Sequence, residues 1–178
     1  GMFRGCSGLT SVSISKSVTS IGANAFDGCA GISWIYIPES VNSIGRDAFK
    51  GTEWYNKMND DGLVYVGNVA YEYRGKMPDN TTIILKEGTT GISEWAFNEC
   101  VGLTSIVIPK SVKNIGDWAF YKCSNLTSIE IPEGVTRIGE NTFSMCENLS
   151  SITLPESLTE IDSHAFLGCS ALTSVVLP

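Results

Sequence analysis

Residues 126–146 read Leu126-Thr-Ser-Ile129-Glu-Ile131-Pro132-Glu-Gly-Val135-Thr-Arg-Ile138-Gly139-Glu-Asn-Thr-Phe143-Ser-Met-Cys146. The stretch before it follows the same pattern: Leu103-Thr-Ser-Ile106-Val-Ile108-Pro109-Lys-Ser-Val112-Lys-Asn-Ile115-Gly116-Asp-Trp-Ala-Phe120-Tyr-Lys-Cys123. Working outward, Phe recurs at 26, 49, 97, 120, 143 and 166, in steps of 23 apart from one step of 48. Cys at 6, 29, 100, 123, 146 and 169 and an apolar residue at 9, 32, 103, 126, 149 and 172 keep the same register. A fixed period of this length marks a repeat architecture. Ile129 and Ile131 alternate with polar neighbours, which predicts a short strand with one face inward. Pro132 lacks a ladder donor and ends it. Val135 and Ile138 fit a turn or a second, shorter strand closed by Gly139. Thr142-Phe143 fits a short helical turn with its ring inside. One unit cannot bury its own apolar face, but stacked copies can. The expected fold is therefore a β-rich repeat solenoid. One parallel ladder should run along a face through 10–14, 33–37, 82–85, 104–108, 127–131, 150–154 and 173–177.

Composition agrees. The 178 residues are 43% apolar and 17% charged, enough to build a core. Ile and Val together number 29 against 11 Leu, which favours strands. Acidic residues outnumber basic ones 19 to 12, for a net charge of −7, which argues against a nucleic-acid partner. No strictly apolar run exceeds four residues, so no membrane insertion is expected in this segment.

The pattern L-T-S-I-x-I-P-x-x-V-x-x-I-G-x-x-A-F-x-x-C resembles the leucine-rich repeats of the BspA-like type over nearly the whole chain. The resemblance implies a right-handed, leucine-rich-repeat superhelix. It further implies an extracellular or cell-surface location on host-associated microbes, and adhesion to host or extracellular-matrix proteins. The chain is expected to form one solenoid over 1–178, as a piece of a longer array. An uncovered strand at 173–177 would then favour weak end-to-end self-association.

The repeat breaks at 50–79. Thr52 stands where Cys is expected, and Trp54-Tyr55 where the Leu is expected. Leu63–Val66 and Val69–Tyr73 flank Gly67-Asn68, which signals a β-hairpin. The register resumes at Ile83. This segment is read as one enlarged unit, either packed into the array as an ordinary variant or presenting Tyr65, Tyr71 and Tyr73 as an amphipathic surface.

Chemical motifs are scarce. There is no C-x-x-C, no HExxH, no Gly-rich phosphate loop and a single His. No metal, cofactor or enzymatic activity is expected. The six cysteines share one inward slot and are read as free thiols, buried at Cys29, Cys100, Cys123 and Cys146. His164 lies in a column with Asn24, Asp47, Trp95, Trp118 and Asn141, expected to be exposed. Asn80, Asn125 and Asn148 begin N-glycosylation patterns, the last two of which the repeat itself generates. What remains is the outer column of the strand face, mostly small and polar. Trp34, Tyr36, Ile84 and Val107 interrupt it with apolar surface, unless the hairpin covers them. They are the candidate anchors for a protein ligand. A glycan-binding module and a spacer without a ligand are the alternatives. The turn-face pair Trp95 and Trp118, expected to stack on adjacent units, is the second candidate surface.

Overall fold

The computed structural model describes residues 1–178. In chain order its elements are β1 (Ser11–Ser13), β2 (Ser20–Ile21), β3 (Trp34–Tyr36), β4 (Ser43–Ile44), α1 (Glu53–Asn56), β5 (Gly62–Val66) and β6 (Val69–Arg74). There follow β7 (Thr81–Ile84), β8 (Gly91–Ile92), β9 (Leu103–Val107), β10 (Asn114–Ile115), β11 (Ser128–Glu130), β12 (Arg137–Ile138), β13 (Ser151–Thr153) and β14 (Glu160–Ile161). The molecule is a parallel β-solenoid. Each regular unit contributes a three- to five-residue rung to one ladder and a two-residue rung to a second. Ser128, Ile129 and Glu130 lie opposite Ser151, Ile152 and Thr153, a 23-residue register. The side chains alternate as the pattern requires: Ile129 is buried between exposed Ser128 and Glu130. The Val-x-x-Ile pair resolves into the second, shorter strand.

The expected single ladder is not continuous. It splits into β1–β3 and β7–β9–β11–β13. The reason lies in 53–60, which would supply the missing rung. This stretch lacks the Ile-x-Ile alternation and folds instead as α1, capped by Thr52, whose Oγ1 accepts from Tyr55 N–H at 3.1 Å. The expected strand at 173–177 is also not formed; those residues have no ladder partner. The open edge on which self-association was expected is therefore not present as a strand.

The hairpin is formed as read. β5 and β6 pair antiparallel, with Gly67 at φ 58° in the turn. β6 then joins the second ladder, Val69 and Ala70 lying opposite Gly91 and Ile92. It also divides the interior. Val69 and Tyr71 belong to a 13-residue N-terminal core. Ala70 belongs to a 24-residue C-terminal core.

The turns after the second rung differ from the expected helical turn. They close through left-handed residues at 24, 47, 95, 118, 141 and 164, with φ between 52° and 63°. The turns bond to each other directly: Phe97, Phe120 and Phe143 N–H each donate to the residue before the next unit's Phe, at 2.8–2.9 Å. This holds the Phe rings in a flat stack, with centroids 5.3–5.6 Å apart along 97, 120, 143 and 166. Full burial of each such ring stabilises the array by about 1.5–3 kcal/mol. No helix is long and apolar enough to cross a membrane.

Candidate functional site

On the strand face, alternation decides what reaches solvent. Inward Ile residues fix the register, so the residues between them must point out. Trp34 and Tyr36 are 54% and 41% exposed, and Ile84 and Val107 are 73% and 52% exposed. The hairpin does not cover them. The structure brings Ile84 directly opposite Val107. It places Trp34 and Tyr36 on β3, opposite Ser11 and Ser13. The two pairs stand on separate sheets, because the rung that would have joined them is absent. Val107 also borders a cleft of 500 Å3 at the ends of β9, β11 and β13, walled by Ile108, Ile131, Leu154, Pro132 and Pro155. Sequence reasoning missed this cleft. Its signal was the Ile/Leu-Pro step that closes each strand.

The rim of the strand face is built by hydroxyls. Thr104 Oγ1 donates to the Thr81 carbonyl at 3.0 Å, and Thr127 and Ser150 repeat this on their own preceding units at 3.3 and 3.2 Å. These bonds make the Thr/Ser column a structural ladder.

The hairpin tyrosines do not form an outward surface. Tyr71 is buried, edge-on to Phe49 and Tyr55 at 5.9 and 5.6 Å, and burial pushes its phenol well above the ordinary value. The Tyr65 hydroxyl accepts from Lys86 N–H at 3.1 Å, with the Lys86 ammonium 4.3 Å from the ring centroid. Tyr73 is half-buried, and its N–H bonds the Ala96 carbonyl at 2.7 Å, the bond that a regular unit makes from its Phe. Both faces of the hairpin pack onto solenoid, burying Tyr71 and half-burying Tyr65 and Tyr73, so the three rings do not form one outward surface.

The cysteine slot has a specific role. The thiols of Cys123, Cys146 and Cys169 donate to the carbonyls of Phe97, Phe120 and Phe143 at 3.1 Å, and Cys29 donates to Phe3 at 2.9 Å. Each thiol ties its unit to the one before. All six thiols are free. Burial pushes Cys100 and Cys146 up to about 12 and raises Cys123 well above the ordinary value. Cys6 is exposed and Cys169 only half-buried, so the inward slot is complete only within the array.

Trp95 and Trp118 stack as expected, with centroids 4.9 Å apart and planes 8° from parallel. The column they share with His164 is not generally exposed; Asn141 is buried and Asn24, Asp47, Trp95 and Trp118 are half-buried, while His164 alone is exposed. Arg46 lies 4.3 Å from the Trp95 centroid. Contributed by neighbouring units, Arg46 and Trp118 sandwich Trp95, so its faces are not a free platform.

The profile of the BspA type leucine rich repeat region matches residues 1–79 and 65–178, in six copies. The chain belongs to this family. No curated protein matches it. Among solved structures, this leucine-rich repeat protein is similar to a leucine rich repeat protein of T. pallidum. The two are 31% identical over 96% of this chain and 68% of that one, with a TM-score of 0.46. A leucine rich cell surface protein of Faecalibacterium prausnitzii is 22% identical over 96% of this chain and 60% of that one, with a TM-score of 0.55. A leucine-rich repeat protein of Eubacterium ventriosum is 24% identical over 96% and 39%, with a TM-score of 0.53. The last two likenesses concern the fold, and this leucine-rich repeat chain spans less than two thirds of their length.

Proposed function

We propose that this repeat module binds a protein ligand through its strand face, as part of a microbial surface adhesin. The observation that carries the reading is the exposure of Trp34, Tyr36, Ile84 and Val107 on a face otherwise lined by Ser and Thr. Large apolar side chains exposed on a rigid scaffold mark interfaces, and aromatic residues dominate interface energetics. The F. prausnitzii relative is described as a cell surface protein, which supports a surface location. The ligand would be a host surface or extracellular-matrix protein. Biolayer interferometry of the immobilised chain against purified matrix and host surface proteins tests this. A ligand found there should lose about tenfold in affinity with Trp34→Ala and Tyr36→Ala combined, and again with Ile84→Ser and Val107→Ser. Binding unchanged by all four substitutions would remove the strand face from consideration.

A further inference from the structure

The junction between the two solenoid blocks holds a second concavity, on the turn side. Its volume is 210 Å3. Drug-sized ligands occupy sites of roughly 300–1,000 Å3, so this one admits a single small ring. Four segments build it. Arg46, Asp47 and Lys50 come from the last regular unit before the hairpin, Tyr55 from α1, Tyr71, Glu72 and Tyr73 from β6, and Glu94, Trp95 and Asn98 from the first unit after it. It lies where the hairpin displaces a rung.

The ions of its wall are already paired. Arg46 Nε and Lys50 Nζ lie 3.3 and 3.4 Å from the Asp47 carboxylate. Glu94 accepts the Arg46 backbone N–H at 2.9 Å, and Glu72 lies 3.7 Å from Arg74. An anionic ligand would meet three carboxylates against two cations. A cationic ligand would find the aromatic faces taken, since Arg46 covers Trp95 and Arg74 lies 3.9 Å from the Tyr55 centroid. Hydrogen-bonding capacity is left over: carboxylate lone pairs on Glu72 and Glu94 and an ammonium on Lys50. The Asn98 amide adds to it. Asn98 lines the cleft, and its Oδ1 is buried without a hydrogen-bond partner, so the amide's hydrogen-bonding capacity is not spent inside the fold. A ligand that both donates and accepts, carries no charge and shows an apolar C–H surface to Tyr73 and the Trp95 edge meets all of these. Trp95 is held there at φ 63°, a conformation that its bulk disfavours.

We propose that this junction cleft binds one neutral pyranose residue of a saccharide, with Glu72 and Asn98 as its hydrogen-bonding anchors. The proposal is independent of the protein-ligand reading of the strand face. The test is a nuclear magnetic resonance titration of the full chain with methyl pyranosides of glucose, galactose, mannose and N-acetylglucosamine. N-acetylneuraminate and choline serve as the anionic and cationic probes. The Trp95 indole and Asn98 side-chain amide signals are followed. At least one neutral pyranoside should shift both saturably at millimolar concentration. Glu72→Gln and Asn98→Ala should each weaken it about tenfold, the loss of one good hydrogen bond. Trp34→Ala with Tyr36→Ala should leave it unchanged. Asn98→Ala removes an amide oxygen with no internal partner, so its fold should persist if that of Glu72→Gln does not. An oligosaccharide of the same residue that binds more tightly points to a glycan terminus, and equal affinity to a free sugar; either supports the site. No response to any neutral pyranoside, response only to the charged probes, or sugar binding indifferent to both variants overturns it.

Discussion

Between residues 97 and 166 each Phe lies flat on the next, with planes 2–9° from parallel. Across 50–79 the geometry changes: Phe49 meets Trp54 at 68° and Tyr71 at 63°. The C-terminal stack is made of identical parts, each completing its neighbour, so one set of bonds serves every unit. The junction has no such template. It joins the blocks with individual devices: the buried Tyr71, the Arg46–Trp95 contact, the Arg46 N–H on Glu94, and Ser93 Oγ donating to the Ile44 carbonyl. Gly91 shows how close the blocks come, since a Cβ there would stand 1.9 Å from the Asn42 oxygen. Repetition yields stability by nearest-neighbour addition. A break in repetition yields shape, and here it yields a cleft.

Single substitutions and a shift of pH probe this contrast. The largest effect is expected inside the stack: Phe120→Ala should cost about 3–5 kcal/mol in urea unfolding, because both neighbouring rings lose a partner and a cavity remains. Phe166→Ala, at a half-buried ring, should cost clearly less; equal costs would mean that the stack is not additive. Tyr71→Ala should cost about 3 kcal/mol. It should also split a single calorimetric transition into two, since Tyr71 packs the hairpin against the N-terminal core; one unchanged transition would show that the blocks are coupled by other contacts.

Alkali should attack the stack through its thiols. Cys100 and Cys146 stand near 12 in the folded chain against an ordinary 9.0. Their folded pKa is raised, so the stability they contribute is full below pH 9 and falls as pH rises from 9 towards 12. At pH 10 each should cost about 1.4 kcal/mol relative to pH 8. Denaturation at the two pH values, with Cys100→Ala and Cys146→Ala flattening the difference, measures it. In the native state at pH 8 a thiol reagent should modify Cys6 first and the buried cysteines only on unfolding.

Smaller effects belong to exposed groups. Arg46→Ala should cost about 1 kcal/mol, a cation–π contact at a partly exposed site plus a weak ion pair, read as a lower midpoint for the N-terminal block. Lys57→Ala, which removes the 2.6 Å pair with Glu53 on α1, should change stability by less than about 0.5 kcal/mol. A larger loss would show that α1 is held by more than its cap and by Trp54 packing.

Period, rungs, inward Phe and Cys slots and the hairpin were legible in residue order. The candidate anchors were legible too, as residues: once Ile35, Ile83 and Ile106 point inward, Trp34, Tyr36, Ile84 and Val107 can only point out. Their separation into two pairs was not legible. It depends on 53–60 failing to form a strand, which follows from missing Ile-x-Ile alternation, and on where the hairpin then lies. The left-handed turn was half-visible, since Asn24, Asp47, Asn141 and His164 are the types that tolerate positive φ; Trp95 and Trp118 in the same column hid it.

Local pattern determined by itself everything that repeats, because identical units offer each neighbour the same partner and no long-range choice arises. Tertiary structure decided what happens once: the split ladder, the two cores divided by β6, the burial of Tyr71 and the cleft at the junction. Those depend on residues 16 to 49 apart in the chain meeting without a repeated counterpart. Arg46 finds Trp95 and Asn42 finds Gly91 only because the hairpin swings aside and lets the two blocks close.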